Sequence, residues 1–388
     1  MDALITPIEA DALISTSLGV PGHETVPLTE TLGRTLYGPI VADRDLPPYS
    51  RAMMDGIALD LSAADLSTPL ELAGLHAAGE PPPRPLKPGE AWEIMTGAMV
   101  PEDCDTVIPY EHLSSDHRSV IEPATAGQFI HRAASDAQAG DTLVHDVRLI
   151  GPAEIAIAAS VGLTELNVGI RPKVALISSG DEAVPISTRP EPWQIRRSNG
   201  AMLEAWLNRG GNDPVMHAHI PDDPASCSKT LKQAIDQADL ILVCGGISKG
   251  KRDFIRPVLE EILGPPAFHG VAQRPGKPLA FWSGPPAVFA LPGNPVSVLA
   301  TFARYVIPSL AQLEGRDPSE RHLACPPSIE ALPRLTWLLP LGADGTPLPP
   351  KNSGDFISIA GVDGFLEIPP APEFDAGQAL RHYPLHIS

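Results

Sequence analysis

The chain has 388 residues, 43% of them hydrophobic and 19% charged, which suits a folded protein of roughly two to four modules and excludes a disordered one. Lys plus Arg number 28 against 47 Asp plus Glu, a formal net charge of −19 that argues against nucleic acid as a partner, since such binding needs a cationic surface. Any anionic ligand must then be held by local clusters of cations. The stretch Met1-Asp2-Ala3-Leu4-Ile5 lacks the basic, apolar character of a signal peptide, and the apolar run from Ile155 to Leu163 is too short to span a bilayer. Cys104, Cys227, Cys244 and Cys325 include no CxxC pair, so a cytoplasmic chain with reduced thiols and no membrane association is expected.

From Thr6 to Thr35 the pattern reads as helix, with Pro7 near its start and a break at Gly19-Val20-Pro21-Gly22. A short strand is expected from Tyr37 to Ala42. From Pro47 to about His131 turns dominate, and brief apolar runs such as Gly56–Leu59 and Thr106–Ile108 predict a small β-rich module. Proline crowds residues 81–89 and bars a helix there. Pro152 to Val161 reads as a buried helix. Strands then alternate with helices: strand 173–177, helix 199–209, strand 215–220, helix 224–238, strand 240–243 and helix 254–263. Strands near 268–272 and 287–290 and a helix from Val296 to about Leu313 complete the series, which predicts parallel βαβ units. Residues 316–388 return to short strands and proline-rich turns, predicting a separate small β domain or barrel.

Four loops of the α/β region carry the candidate chemistry. Ser178-Ser179-Gly180-Asp181-Glu182 follows a strand, and Gly245-Gly246-Ile247-Ser248-Lys249-Gly250-Lys251-Arg252-Asp253 joins a strand to a helix. Glycines there admit backbone N–H groups to an anion. Arg274-Pro275-Gly276-Lys277-Pro278 is a stiff turn with two cations, and Leu291-Pro292-Gly293-Asn294-Pro295 feeds a helix. Between Lys249 and Lys277 six basic residues, Arg256 among them, stand against three acidic ones, the local surplus that a phosphate or pyrophosphate requires. A turn glycine pair with solvated lysines is the structural alternative. Glu182, Asp222 and Asp253 fall at loop ends where Mg²⁺ could bind a ligand phosphate, although Asp222, Asp223 and Asp253 also sit where helix caps belong. His217 and His219 alternate on a strand, but no HxxxH or Cys/His set points to zinc, and no G-x-S-x-G elbow to a hydrolase.

Taken in order, these segments resemble the MoeA family, the molybdopterin molybdenumtransferases that include the E-domain of gephyrin. The resemblance rests on Leu46-Pro47-Pro48-Tyr49-Ser50-Arg51-Ala52-Met53-Met54-Asp55-Gly56, Glu93-Ile94-Met95-Thr96-Gly97, Ser179-Gly180-Asp181-Glu182, Ser198-Asn199, Gly245-Gly246-Ile247-Ser248-Lys249-Gly250, Pro275-Gly276-Lys277-Pro278, Pro292-Gly293-Asn294-Pro295 and Asn352-Ser353-Gly354-Asp355. It implies an α/β plus β, multidomain, elongated chain. A central MogA-like α/β module over 171–315, with a mostly parallel sheet, would be joined by a β-rich inserted domain over 46–136. A discontinuous helical linking domain (1–45 and 137–170) and a C-terminal small β-barrel (316–388) would complete it.

The implied reaction inserts molybdate into adenylylated molybdopterin with Mg²⁺ and releases AMP. A homodimer is implied as well, its cleft joining the α/β domain of one subunit to the β-rich domain of the other. Molybdopterin adenylyltransferase and apo-molybdoenzyme chaperones are the implied partner proteins. On this mapping Asp55, Glu182, Asp222 and Asp253 are catalytic, the last three at the metal. Thr96, Asp136, Gly245, Gly246, Ser248, Arg274, Lys277, Pro292, Asn294, Pro295 and Ser353 bind substrate. Asp55 and Glu182 would serve the oxyanion end, and Asp222 and Asp253 the pyrophosphate end; alternatively, Asp55-Gly56 closes a hairpin turn. Arg274 stands where relatives carry lysine, Ser50, Ala52 and Ala134-Ser135 depart from the family pattern, and the strand around Leu335 to Leu341 matches it poorly. The adenylyltransferase activity itself and a non-catalytic scaffold are the rival functions.

Overall fold

Val174–Ser179, Leu240–Cys244 and Ala287–Leu291 are apolar runs without alternation, the pattern of strands covered on both faces. In the computed structural model they form the middle of a six-stranded sheet, in the order Met216–Ile220, Val174–Ser179, Leu240–Cys244, Ala287–Leu291, Ala280–Trp282, Phe268–His269. The structure describes residues 4–19, 22–247, 254–316, 321–324, 329–375 and 378–385. The first four strands of the sheet run parallel, as the βαβ pattern predicts. Ala280–Trp282 runs antiparallel to both its neighbours, Ala287–Leu291 and Phe268–His269, so the sheet is mixed. The reversal follows from Gly284-Pro285-Pro286, a turn too short to carry a crossover helix.

Alternate side chains of these strands enter two cores. Leu176, Leu242 and Phe289 pack with Leu203 and Leu207 of the helix Ser198–Arg209, while Ala175, Ile177, Ile241 and Val243 pack with Leu231 and Leu259 of the helices Pro224–Gln237 and Ile255–Leu263. Each such Leu, Ile or Phe contributes about 1.5–3 kcal/mol by leaving water. Truncating one, as in Leu242→Ala, would cost about 2–5 kcal/mol because the cavity cannot collapse.

Two compact units divide the chain: Met1–Tyr37 with Val147–Gly151 and Glu165–Ser388, and Gly38–Asp146 with Pro152–Thr164. In the first, the helix Pro7–Ser17 is opened by a capping box in which Thr6 Oγ1 accepts the Glu9 N–H and the Glu9 carboxylate accepts the Thr6 N–H. The helical reading does not extend past the glycine break: His23–Pro27 is a strand, antiparallel to Glu165–Gly169. Its partner lies so far along the chain that no local pattern could reveal it. The helix Pro152–Ser160, expected to be buried, hides only Glu154 and Ala158. In the second unit Glu71–His76, Glu90–Ile94, Gly56–Leu59 and Thr106–Pro109 make a four-stranded sheet, in that order.

The C-terminal residues form a five-stranded sheet rather than the expected barrel, ordered Gln273–Arg274, Thr336–Gly342, Val362–Ile368, Ala379–Pro384, Arg321–Ala324. Among the described residues its two end strands share no ladder, and one of them is the start of the cationic turn of the α/β module. The stretch Pro295–Leu313 is apolar and long enough to cross a membrane, yet 78% of it is buried in the protein's own core. Its middle, Phe302–Val306, winds as π-helix. There Arg304, 2% exposed, grips Asp11 through both Nη atoms and Glu367 through Nε, and lies over the rings of Tyr305 and Tyr383. Those charged bonds fasten the helix to the first helix and to the C-terminal sheet.

Candidate active site

Ligands of open α/β sheets collect beyond the carboxyl ends of the parallel strands. Here those ends and their loops enclose a cavity of about 730 Å³, faced by Glu182, Asp222, Gly245, Gly246, Pro292, Asn294 and Pro295. Gly245 and Gly246 have φ of +91° and +67°, and a Cβ on Gly246 would strike the Ile255 side chain. Only glycine fits, so bare backbone forms this part of the surface. The helix cap that competed for Asp222 falls to its neighbour: Asp223 accepts the Ser226 N–H at 2.8 Å, leaving Asp222 on the cavity wall. Asp181 accepts the Asp222 N–H at 3.0 Å and ties the two loops together.

A second cavity, of about 700 Å³, adjoins the first and shares Pro278, Pro292, Gly293 and Asn294 with it. Arg274 and Lys277 line it together with Asn352 and Ser353, and among the described residues no acidic side chain does. Arg274 is held in register against Trp337 of the C-terminal sheet, and Asn294 Nδ2 donates to Ser353 Oγ at 2.9 Å. Arg274 therefore projects from strand-fixed backbone, and Lys277 from the turn that follows it, where its carbonyl accepts the Val271 N–H at 2.9 Å. Arg256, counted among the basic residues, lies elsewhere: its guanidinium bonds Glu260 one helical turn away and His269. Ser248 and Asp253 fall outside the described residues.

The other unit carries Asp55, Thr96 and Asp136. Asp55 Oδ1 accepts both the backbone N–H and the hydroxyl of Thr96, each at 2.7 Å. The backbone bond first, then the hydroxyl, holds the Asp55 carboxyl below the usual carboxylate range. No hairpin closes at Asp55-Gly56. Arg51–Ala52 pairs with Ile130–His131, whereas Gly56–Leu59 joins the four-stranded sheet. Gly56 is required because a Cβ there would run into the Ile108 carbonyl oxygen. Asp136 is anchored by His131 Nε2 at 2.7 Å and by the Ser135 hydroxyl at 3.1 Å, and the His131 bond is the main cause of its lowered pKa. Arg51 approaches the other ring nitrogen of His131 at 3.2 Å.

Sequence reasoning overlooked Arg196 and Arg197, which face the first cavity, and Trp337, which faces the second. A basic pair directly before the helix Ser198–Arg209 was the available signal for the first two. Arg197 Nε donates to the Ala183 carbonyl at 2.9 Å, which steadies the loop bearing Glu182. Asn199 Nδ2 donates to the Gly293 carbonyl at 2.7 Å, bracing the wall between the cavities from the other side.

Residues 5–162 match the family model described as the MoeA N-terminal region (domain I and II), and residues 175–312 match the one described as "Probable molybdopterin binding domain". A molybdopterin molybdenumtransferase of Synechocystis sp. is 36% identical over 383 residues, covering 93% of this chain and 95% of that protein. Molybdopterin molybdenumtransferase 2 of Mycobacterium tuberculosis is 36% identical over 313 residues, 77% of each chain. Among solved structures, a molybdopterin biosynthesis MoeA protein from Pyrococcus horikoshii superposes with a TM-score of 0.80 at 30% identity, over 100% of both chains.

Proposed function

This chain belongs to the MoeA family of molybdopterin molybdenumtransferases, and from that premise we propose that it inserts molybdate into adenylylated molybdopterin, releasing AMP and the molybdenum cofactor. The observation that carries this reading is the pair of adjoining cavities. One has carboxylates and arginines around bare glycine backbone, and the other, among the described residues, has two cations and no acid. The diphosphate of the adenylylated pterin suits the first cavity and molybdate the second, with the Pro292–Asn294 wall between them. In the second, Arg274 and Lys277 would bind the tetrahedral oxyanion, and Ser353 would orient it by a hydrogen bond. A carboxylate there would repel it, and among the described residues none lines this cavity.

Mg²⁺ fits the donor chemistry of the first cavity. It is commonly held by one or two carboxylates completed by ligand phosphates, and Glu182 and Asp222 supply two. Among the described residues no group of three or more His, Cys, Asp or Glu could hold a metal unaided, so the ligand's phosphates would be part of that shell. Bound there, Mg²⁺ would neutralise charge on the diphosphate. Arg196 and Arg197 would position the same phosphates. Hydrolysis then forms one bond from a water oxygen to the adenylate phosphorus and breaks its bond to the bridging oxygen, so AMP leaves and the pterin keeps its own phosphate. Such a reaction needs placement and charge more than a protein nucleophile. Asp55, whose bonds from Thr96 favour its ionised form, is proposed as the carboxylate that acts at the oxyanion end, with Thr96 and Asp136 as substrate contacts.

We place the reaction in the cytoplasm and in a homodimer. The thiols of Cys104, Cys227 and Cys244 are free and buried, and burial pushes Cys104 and Cys244 up to about 12, which keeps them inert. The test is incubation of the protein with adenylylated molybdopterin, Mg²⁺ and molybdate. AMP and an active cofactor, measured by reconstitution of an apo-molybdoenzyme, are expected. Formation of adenylylated molybdopterin from ATP and molybdopterin would instead identify an adenylyltransferase, and binding without turnover a scaffold.

A further inference from the structure

His219 sits on the same sheet face as His217, at the carboxyl end of Met216–Ile220 and beside Ser178 in the parallel ladder. His217 turns to the helix Ser198–Arg209 and pairs with Glu204. His219 instead reaches the active-site loop: its Nε2 lies 3.1 Å from the Gly180 carbonyl and its Nδ1 2.9 Å from the Ser178 hydroxyl. A carbonyl can only accept, so Nε2 carries the proton, while the Ser178 hydroxyl facing Nδ1 also has the Ala218 carbonyl within 3.5 Å. The surroundings favour the neutral ring, in which Nδ1 accepts the Ser178 O–H. Burial first, then the Arg197 charge, lowers the His219 pKa, against a smaller opposing pull from the Gly180 bond, Asp181 and Asp222.

The Gly180 carbonyl also accepts the Ala183 N–H at 3.2 Å, closing the turn that contains Glu182. Gly180 has φ +115°, and the Glu182 carboxylate folds over it, 2.7 Å from where a Cβ would stand. One carbonyl therefore joins the imidazole to the turn that aims Glu182 into the cavity. We infer that His219 is a positioning residue for the transferase reaction: its neutral Nε2–H tautomer pins the Gly180 carbonyl and so fixes the direction of Glu182. The role in turnover rests on the transferase reading; the hydrogen bonding does not.

The experiment compares the whole protein with His219→Gln, whose terminal amide reaches the Nε2 position and keeps a donor, and with His219→Leu, which keeps the volume and loses it. Nitrogen-15 spectra of the wild-type ring should show protonated Nε2 and bare Nδ1. The Gly180 and Glu182 amide signals should move in the Leu variant and stay near their wild-type positions in the Gln variant. With adenylylated molybdopterin, kcat should fall about tenfold in His219→Leu at unchanged molybdate KM, and within about threefold of wild type in His219→Gln. A ring protonated on Nδ1 would overturn the inference, and so would amide signals at Gly180 and Glu182 that ignore both substitutions. If the wild type itself fails to turn over, the transferase reading falls while the ring and amide spectra still decide what His219 holds.

Discussion

The two adjoining cavities are nearly equal in size, about 730 and 700 Å³, but differ in how their charge is arranged. The first mixes signs, Glu182 and Asp222 with Arg196 and Arg197, on glycine loops at the ends of parallel strands. The only charges that the described residues give the second are cations, Arg274 and Lys277, on a turn whose start is paired into the edge of the C-terminal sheet. A mixed site suits a polyanion that arrives with a divalent cation, because its carboxylates gain from the metal what they would lose to the phosphates. A purely cationic site suits a lone oxyanion. In a chain of net charge −19, segregating the signs lets two anions bind side by side without sharing the same counter-charges.

The comparison depends first on the wall between the cavities, which feeds the helix pinned by Arg304. Replacing Arg304 with methionine leaves Asp11 and Glu367 without their shared cation and should cost about 3–5 kcal/mol, seen as a fall in the denaturant midpoint. An unchanged midpoint would mean that the wall does not depend on this anchor. Within the cationic cavity, Lys277→Ala should lower kcat/KM for molybdate about 10²- to 10³-fold in initial-rate assays, as expected for loss of a charge aimed at the reacting oxyanion. A loss confined to the nucleotide KM would reverse the assignment of the two cavities. Across the wall, Asp222→Asn should raise the Mg²⁺ concentration for half-maximal rate about tenfold, because one of two carboxylate donors becomes neutral. An unaltered Mg²⁺ titration would remove Asp222 from the metal.

The smallest effect is expected in the other unit, at Asp55. Its folded-state pKa is depressed, so it stays ionised, and any activity that needs its charge fails only as the pH drops through that lowered value. Thr96→Val removes the hydroxyl but keeps the backbone N–H, the larger of the two causes. The acid limb of the pH–rate profile should move upward, giving a loss of several-fold near pH about 4 and none at neutral pH, where an ordinary aspartate is ionised anyway. An unmoved acid limb would show that Asp55 ionisation does not govern the rate.

Most of the α/β module was legible because its strands are two-sided apolar runs and its helices carry their own punctuation, such as Asp223-Pro224 at one start and Gly210 at one end. The glycine loops and the cationic turn were legible for a similar reason, since residue type alone marks a place where backbone must come close or charge must gather. What escaped was set by partners distant in the chain. His23–Pro27 is a strand only because Glu165–Gly169 pairs with it, and the antiparallel end of the main sheet depends on one short proline turn. The division into two cavities was hidden for the same reason, because the wall arises where the Pro292–Asn294 loop meets Ser353, about sixty residues later. Arg256 misled because a helix-borne arginine counts toward local charge while its side chain satisfies Glu260.

The most direct test is a pair of titrations, molybdate and Mg²⁺, on the wild type, Arg274→Ala and Asp222→Asn, followed by AMP release. Separate cavities predict that Arg274→Ala weakens the molybdate dependence alone and Asp222→Asn the Mg²⁺ dependence alone. If each substitution shifted both curves to the same extent, the two anions would share one site, and the division of charge described above would have no functional meaning.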